Sequence, residues 1–123
     1  MDNIEQGTVL SSGSGRAKVK IQATHLNAAA NTAVAGDVYV CIRAETVQLA
    51  PALNGLGSAD NQLMGVIRKV EREGQLLRVN VDCGFPLSAL LTPQAGAKLE
   101  LREGAPVVAL LAETAVHLIG SEQ

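Results

Sequence analysis

The side chains best suited to chemistry are few in this chain, and they are widely spaced. The cysteines Cys41 and Cys83 and the histidines His25 and His117 do not fall at the spacing that zinc sites use. Neither histidine has a motif that would place a nucleophile, a base and an orienting group together. We therefore predict no catalytic residue and no metal site, and we expect both cysteines to be buried, reduced thiols.

A glycine-rich segment near the start of the chain raises the question of nucleotide binding. Gly13-Ser-Gly15-Arg-Ala-Lys18 lacks the Lys-Ser/Thr ending of a phosphate-binding loop, and it does not sit between a strand and a helix. The chain is therefore predicted not to hydrolyse ATP and not to be an enzyme.

Composition limits the partners that the chain can have. The 123 residues carry a net charge of -2, and the only aromatic residues are Tyr39 and Phe85. Binding of single-stranded nucleic acid relies on aromatic stacking and a positive groove, so no nucleic acid partner is expected. No apolar stretch approaches the roughly 20 residues that cross a bilayer, and the first residues do not form a signal peptide. We expect a cytoplasmic protein without direct membrane insertion.

The chain contains an internal duplication. Its landmarks recur in the same order: Asn3-Ile-Glu-Gln-Gly7 and Asn61-Gln-Leu-Met-Gly65, then Ala44-Glu-Thr46 and Ala112-Glu-Thr114, then Val47-Gln-Leu49 and Val116-His-Leu118. The two tripeptides lie at the same distance from Gly36 and Gly104. Such repetition predicts two copies of one small fold, at 1–52 and 61–120, with a glycine-rich connector at 53–60.

Alternating apolar and polar residues predict the elements of each copy. Ala17, Val19, Ile21 and Ala23 share one face of a strand, and Leu77, Val79 and Val81 share one face of its counterpart. Each copy is expected to open with a hairpin, followed by strands at Val38 to Ile42, Thr46 to Leu49, Pro86 to Leu91, Val107 to Leu111 and Ala115 to Ile119.

The second copy is longer than the first, and the extra residues lie around Thr92 to Lys98. Thr92 and Pro93 are typical of an N-cap and a first helical residue, so a short helix is predicted there. The predicted fold class is all-β, with two tandem OB-like small β-barrels of about five strands each and one short helix in the second copy.

Several short motifs together resemble a known family. They are Val38 to Val47, Ser58-Ala-Asp-Asn61 with Gly65, Asp82-Cys-Gly-Phe-Pro-Leu87 and Ala112 to His117. The chain resembles the tandem TOBE (transport-associated OB) or Mop domains of proteins that handle molybdate and tungstate. It is most similar to the C-terminal accessory domain of the ATP-binding subunit of an ABC importer.

The resemblance implies a regulatory and dimerisation domain that senses cytoplasmic oxyanion. Its expected partners are a second copy in a homodimer and, through the parent protein, the nucleotide-binding and membrane subunits of the transporter. Such a domain is peripheral to the inner membrane, and the start of the first motif already at Asn3 favours a portion of a longer protein. The alternative is a free-standing cytoplasmic molybdate- or tungstate-binding protein.

The resemblance also indicates where an anion would bind. Relatives that bind molybdate carry Ser-Ala-Arg-Asn and Lys-Ala-Ser, where this chain has Ser58-Ala-Asp60-Asn61 and Ala112-Glu-Thr114. Both family cations are therefore replaced, and the carboxylate of Asp60 would repel a dianion. The candidate oxyanion ligands are Ser58, Asn61 and Thr114 as hydrogen-bond donors and Arg43 as the counter-charge. The alternative is that Asp60 and Asn61 form a turn, that Glu45 and Glu113 are solvated, and that Thr114 is an ordinary strand residue. No cofactor is expected apart from a molybdate or tungstate ligand.

Overall fold

The computed structural model of the chain describes residues 2–30, 35–52 and 60–120. These residues form ten β-strands and one short α-helix, with a 3₁₀ turn after each of two strands. The strands are β1 (Asp2–Gly13), β2 (Arg16–Ile21), β3 (Thr24–Ala29), β4 (Gly36–Arg43), β5 (Gln48–Pro51), β6 (Asn61–Glu73), β7 (Leu76–Asp82), β8 (Pro86–Leu91), β9 (Pro106–Leu111) and β10 (His117–Gly120). The helix α1 is Pro93–Ala97, and the 3₁₀ turns are Ala44–Thr46 and Glu113–Ala115.

The strands form two antiparallel five-stranded sheets that have exchanged one strand each. The order is β10-β4-β1-β2-β3 in the sheet of the first lobe and β5-β9-β6-β7-β8 in the sheet of the second lobe. Thus β5 precedes the connector in sequence but pairs with β9, and β10 returns from the end of the chain to pair with β4. The all-β prediction of two small barrels is confirmed, but the sequence did not indicate this exchange.

The register of the strands corrects the alignment of the two copies. Asn3 lies opposite Ile42 in the first lobe, and Asn61 lies opposite Leu111 in the second. Equivalent positions after these strands therefore differ by 69 residues (111 minus 42), which makes Arg43 the counterpart of Ala112. The two Ala-Glu-Thr tripeptides, which are 68 residues apart (112 minus 44), are out of structural register by one residue.

Most of the predicted strands are present, with differences at their ends. Ala17, Val19 and Ile21 are buried as expected, but Ala23 is exposed because the chain turns after Ile21. Thr46 and Ala115 belong to 3₁₀ turns rather than to the strands that follow them, so those two strands begin later than predicted. The strand β3 was not predicted, because its sequence Thr-His-Leu-Asn-Ala-Ala combines small and polar residues with little β-propensity.

The predicted helix is confirmed in position and in cap. Thr92 has an extended backbone, and its hydroxyl accepts a hydrogen bond from the Ala95 N–H at 3.1 Å, with Pro93 in the first turn. Gly96 packs against Leu77 and Leu101, so close that a Cβ there would lie 2.8 Å from one and 3.0 Å from the other. This glycine allows the helix to lie directly on the second lobe.

A glycine at the same place in β1 and β6 lets each sheet curl. A Cβ on Gly7 would lie 2.9 Å from Val19 Cγ1, and one on Gly65 would lie 2.6 Å from Val81 Cγ1 and 3.0 Å from the Asp82 carbonyl oxygen. Backbone on one side and a core side chain on the other leave no room for a methyl group. The repeated glycines of the sequence therefore mark where each barrel closes.

We expect Gly65→Ala to lower the free energy of unfolding by about 1–3 kcal/mol, because the added methyl group overpacks the core. Gly120→Ala is the matched control, since nothing lies within 4 Å of a Cβ at that strand position. Urea unfolding followed by circular dichroism compares the two variants. Equal stability of both would contradict the role given to Gly65.

Candidate functional site

Two asparagine side chains join the lobes, one from the start of β1 and one from the start of β6. Asn61 is buried; its Oδ1 accepts the Asn27 N–H at 2.7 Å, and its Nδ2 donates to the Asn27 carbonyl at 2.9 Å and the Leu111 carbonyl at 3.3 Å. The amide thus continues the edge of β3 as a backbone group would. Its two N–H groups both donate to main-chain carbonyls.

Asn3 of the first lobe makes the equivalent set of hydrogen bonds. Its Oδ1 accepts the Ser88 N–H at 2.8 Å, and its Nδ2 donates to the carbonyls of Ser88 at 3.0 Å and Ile42 at 3.1 Å. Each asparagine therefore bonds one strand of its own lobe and one strand of the other lobe. The lobes meet through two equivalent seams.

Each seam also contains one of the 3₁₀ turns. The turn Ala44–Thr46 packs on β8 of the second lobe, and the turn Glu113–Ala115 packs on β3 of the first lobe. The first residues of a helical turn leave backbone N–H groups without partners in the turn itself. An acceptor placed there, whether a side chain or an anion, is stabilised by those groups.

In the second seam a carboxylate of the chain already accepts such an N–H group. Asp60 Oδ2 accepts the Glu113 N–H at 2.8 Å, while the preceding residue Ala112 offers no side-chain cap. The Asp60 carbonyl in turn accepts a hydrogen bond from Asn27 Nδ2 at 3.3 Å. Asp60 therefore stabilises the turn Glu113–Ala115, and the sequence did not indicate this contact.

An ion pair between the lobes completes the second seam. Arg16 Nε lies 3.0 Å from Glu113 Oε2, with the carboxylate largely covered and the guanidinium exposed. Because the guanidinium stays in water, the pair contributes at most about 1 kcal/mol. It places a negative charge, already paired, beside the predicted anion site.

The four predicted ligands are distributed between the seams. Asn61 and the exposed Thr114 belong to the second seam, and Arg43 precedes the 3₁₀ turn of the first. Arg43 is exposed and lies 3.6 Å from Glu45, a weak surface contact. Ser58 lies outside the described residues. The role of these residues as anion ligands stays a prediction.

Both cysteines were expected to be buried thiols, and of the two only Cys83 is buried. Cys83 is buried, and burial raises the pKa of its thiol to about 11, so the thiol stays protonated at neutral pH. Cys41 is only half-buried, and its sulfur is not part of a disulfide. Within residues 2–30, 35–52 and 60–120, no group of three His, Cys, Asp or Glu side chains has the arrangement of a metal site.

None of the helices in the described part of the chain is long and apolar enough to cross a membrane.

Comparison with known proteins identifies the fold. The family model of the TOBE domain matches residues 57–118. Among solved structures, the cytoplasmic molybdate-binding protein ModG, in a crystal form with molybdate bound, is similar to the chain with a TM-score of 0.79 and 25% sequence identity. The similarity covers 96% of this chain and 95% of ModG. No curated protein sequence matches the chain.

We expect Asn61→Ala to destabilise the protein, because it removes three hydrogen bonds at a buried seam. An unpaired backbone group costs about 1–3 kcal/mol, so the free energy of unfolding should fall by about 2–4 kcal/mol. Gln6→Ala, an exposed residue of the neighbouring sheet, should change it by less than about 0.5 kcal/mol. Chemical denaturation measures both, and a wild-type value for Asn61→Ala would exclude the bridging role.

Proposed function

The chain belongs to the TOBE domain family, and on that premise we propose that it binds a tetrahedral oxyanion of the molybdate or tungstate class. Members of this family are binding modules, and the chain is accordingly not an enzyme. The observation that carries the proposal is the likeness to the molybdate-binding protein ModG over nearly the whole length of both chains. We further propose that it acts in the cytoplasm, where ModG is described.

A dianion of this kind is bound by backbone N–H groups, hydroxyl groups and a cation. In the first seam, Arg43 occupies the position equivalent to Ala112, where the resemblance places the lysine of binding relatives. The first seam therefore keeps a positive charge at this position, where the second seam has alanine, and the arginine of the second seam, Arg16, is paired with Glu113. Asp2 is the counterpart of Asp60 by strand register, so an acidic residue stands at that position in both copies and the preference rests on Arg43. We propose the residues around Arg43 and the turn Ala44–Thr46 as the stronger of the two anion sites.

The second seam is less suited to an anion for a specific reason. The Asp60 carboxylate already accepts the Glu113 N–H at 2.8 Å, and it stands where binding relatives carry arginine. An entering dianion would have to displace that carboxylate and would meet its charge, at a cost of about 4 kcal/mol per unit-charge pair at 4 Å. We propose that Thr114 contributes to anion binding only when Asp60 is replaced.

A second candidate function is the accessory regulatory domain of an importer's ATP-binding subunit. It is favoured by the same departure from the family pattern, because a seam in which the Asp60 carboxylate takes up the Glu113 N–H is suited to joining the lobes rather than to capturing an anion. Tight binding of the anion by the isolated chain distinguishes the first candidate from the second. The partners in the second case would be the nucleotide-binding and membrane subunits of the transporter.

Titration of the purified chain with sodium molybdate and sodium tungstate by isothermal calorimetry tests the proposal. We expect binding heat in the wild type and an affinity at least about tenfold lower in Arg43→Gln, which corresponds to about 1.4 kcal/mol. Arg102→Gln is the matched control, because both arginine side chains are about equally exposed, 63% and 64%, and each lies near one glutamate. Absence of heat with both anions in the wild type would refute anion binding.

Restoring the family cations should strengthen binding at the second seam. We expect Asp60→Arg combined with Ala112→Lys to bind tungstate at least about tenfold more tightly, since repulsion is replaced by attraction. The double variant loses the Asp60 cap, which should cost about 1 kcal/mol of stability. Glu103→Arg with Ala97→Lys makes the same charge change at exposed positions elsewhere, so an equal gain there would show a non-specific effect of net charge.

A further inference from the structure

A polar cleft lies on the outer surface of the first lobe, where β1, β2 and β4 run side by side. Its volume is about 540 Å³. In one cross-strand row, Thr8 lies between Lys20 and Asp37. In the next row, Gln6 lies beside Tyr39. Six side chains define the polar cleft: Gln6, Thr8, Lys20, Gln22, Asp37 and Tyr39.

One row of the polar cleft has a cation at one end and a carboxylate at the other. The Cα atoms of Lys20 and Asp37 lie two strand spacings apart, which is about 10 Å. Thr8 Oγ1 donates a hydrogen bond to Asp37 Oδ1 at 3.3 Å. Among the residues that the structure describes, the Lys20 ammonium makes no ion pair. An anionic group of a ligand can therefore approach this ammonium without displacing a carboxylate of the described residues.

The second lobe shows that the fold does not require these charges. Val66 is the counterpart of Thr8, since each follows the closely packed glycine of its strand. Val66 lies between Asp82 and Pro106, so a carboxylate replaces the cation of the row and a proline replaces its carboxylate. In the next row, Val108 stands in place of the aromatic residue. The charges of the polar cleft therefore belong to the sequence of the first lobe and not to the architecture that the lobes share.

An apolar surface borders the polar cleft on the side of β4 and β10. The Tyr39 side chain is 37% exposed, and Ile119, directly opposite it on β10, is 55% exposed. Tyr39 follows Asp37 by two residues in β4, so both side chains stand on the same face of the sheet. A ligand bound at Asp37 therefore lies next to a surface on which an aliphatic group can leave water.

We propose that the polar cleft binds a free α-amino acid with a large aliphatic side chain. The ligand carboxylate accepts a hydrogen bond from Lys20 Nζ, and the ligand ammonium donates to the Asp37 carboxylate. A carboxylate has about four lone-pair sites, so Asp37 can accept from Thr8 and from the ligand together. The aliphatic side chain packs on Tyr39 and Ile119. This class of ligand uses both charges of the cleft and its apolar border.

The dimensions of the polar cleft suit a ligand of this size. The nitrogen and the carboxylate oxygens of an α-amino acid lie about 3 Å apart, and each charge-assisted hydrogen bond adds about 2.8 Å. The bound ligand thus spans about 8–9 Å, close to the distance between the two ends of the row. The volume of about 540 Å³ falls within the range of about 300–1,000 Å³ that is usual for small-molecule sites.

Two other classes of ligand fit the polar cleft less well. A dianion such as molybdate would be attracted by Lys20 but repelled by Asp37. A neutral sugar would bring no counter-charge to the Lys20 ammonium. The amino-acid site is therefore separate from the anion site proposed at Arg43 and does not depend on it.

Tyrosine fluorescence of the intact chain tests the proposal. Tyr39 is the only tyrosine and tryptophan is absent, so the emission reports on the polar cleft. We expect L-leucine to change the emission with a dissociation constant of about 1 mM or lower. Isocaproate, which lacks the ammonium of leucine, and isopentylamine, which lacks its carboxylate, should bind at least about tenfold more weakly. No change with leucine, or an equal affinity for either analogue, would overturn the proposal.

Two substitutions that each remove one charge locate the bound leucine. We expect Lys20→Gln and Asp37→Asn each to weaken leucine binding at least about tenfold, and the asparagine keeps an acceptor for Thr8. Lys18→Gln is the matched control, because Lys18 is an exposed lysine two residues earlier on the same face of β2. All three positions are exposed, so thermal unfolding of the variants should match that of the wild type. Wild-type affinity in either cleft variant, or an equal loss in the Lys18 variant, would contradict the proposed site.

Discussion

The two bridging asparagines are the constraint on which the rest of the structure depends. Each lobe contains only about half of the chain, and a unit of that size buries too little surface to be more than marginally stable by itself. The amides of Asn3 and Asn61 supply backbone-like partners to β8 and β3, strands whose outer edges would otherwise have unpaired groups. The 3₁₀ turns pack across the same two seams, Ala44–Thr46 on β8 and Glu113–Ala115 on β3.

Much of the architecture was accessible from the sequence. Alternation of Ala17, Val19 and Ile21 predicted one core face, and the Thr92-Pro93 pair predicted the helix. The repeated landmarks predicted the duplication. These signals are local, so a single chain is sufficient to find them. The exchange of β5 and β10 was not accessible from the sequence. The final strands of the two copies are similar, so the sequence pattern is the same whether each copy keeps its own final strand or pairs with that of the other copy. The strand β3 was not predicted for a different reason. Its pairing with β2 and its contacts with the second lobe outweigh its weak local preference for a strand.

The candidate site, too, could be predicted from the sequence only in part. The repeated asparagine was a visible signal, but the sequence alone gave no means to distinguish an anion ligand from a structural bridge. In the structure the Asn61 amide donates to two carbonyls, which argues for the bridge. Asp60 was expected either to repel an anion or to form a turn with Asn61, whereas its carboxylate caps the distant turn at Glu113. Such a contact between residues 53 positions apart cannot be derived from spacing.

The exchanged strands also decide what a cut in the connector would do. A cut there would give an N-terminal fragment that contains β5 and a C-terminal fragment that contains β10. Each fragment would therefore contribute one strand to the sheet of the other. A nick between residues 52 and 60 would therefore leave an interlocked, non-covalent heterodimer rather than two released barrels. From the same topology we expect the two lobes to melt together in one transition, since neither sheet is complete without a strand from the other copy.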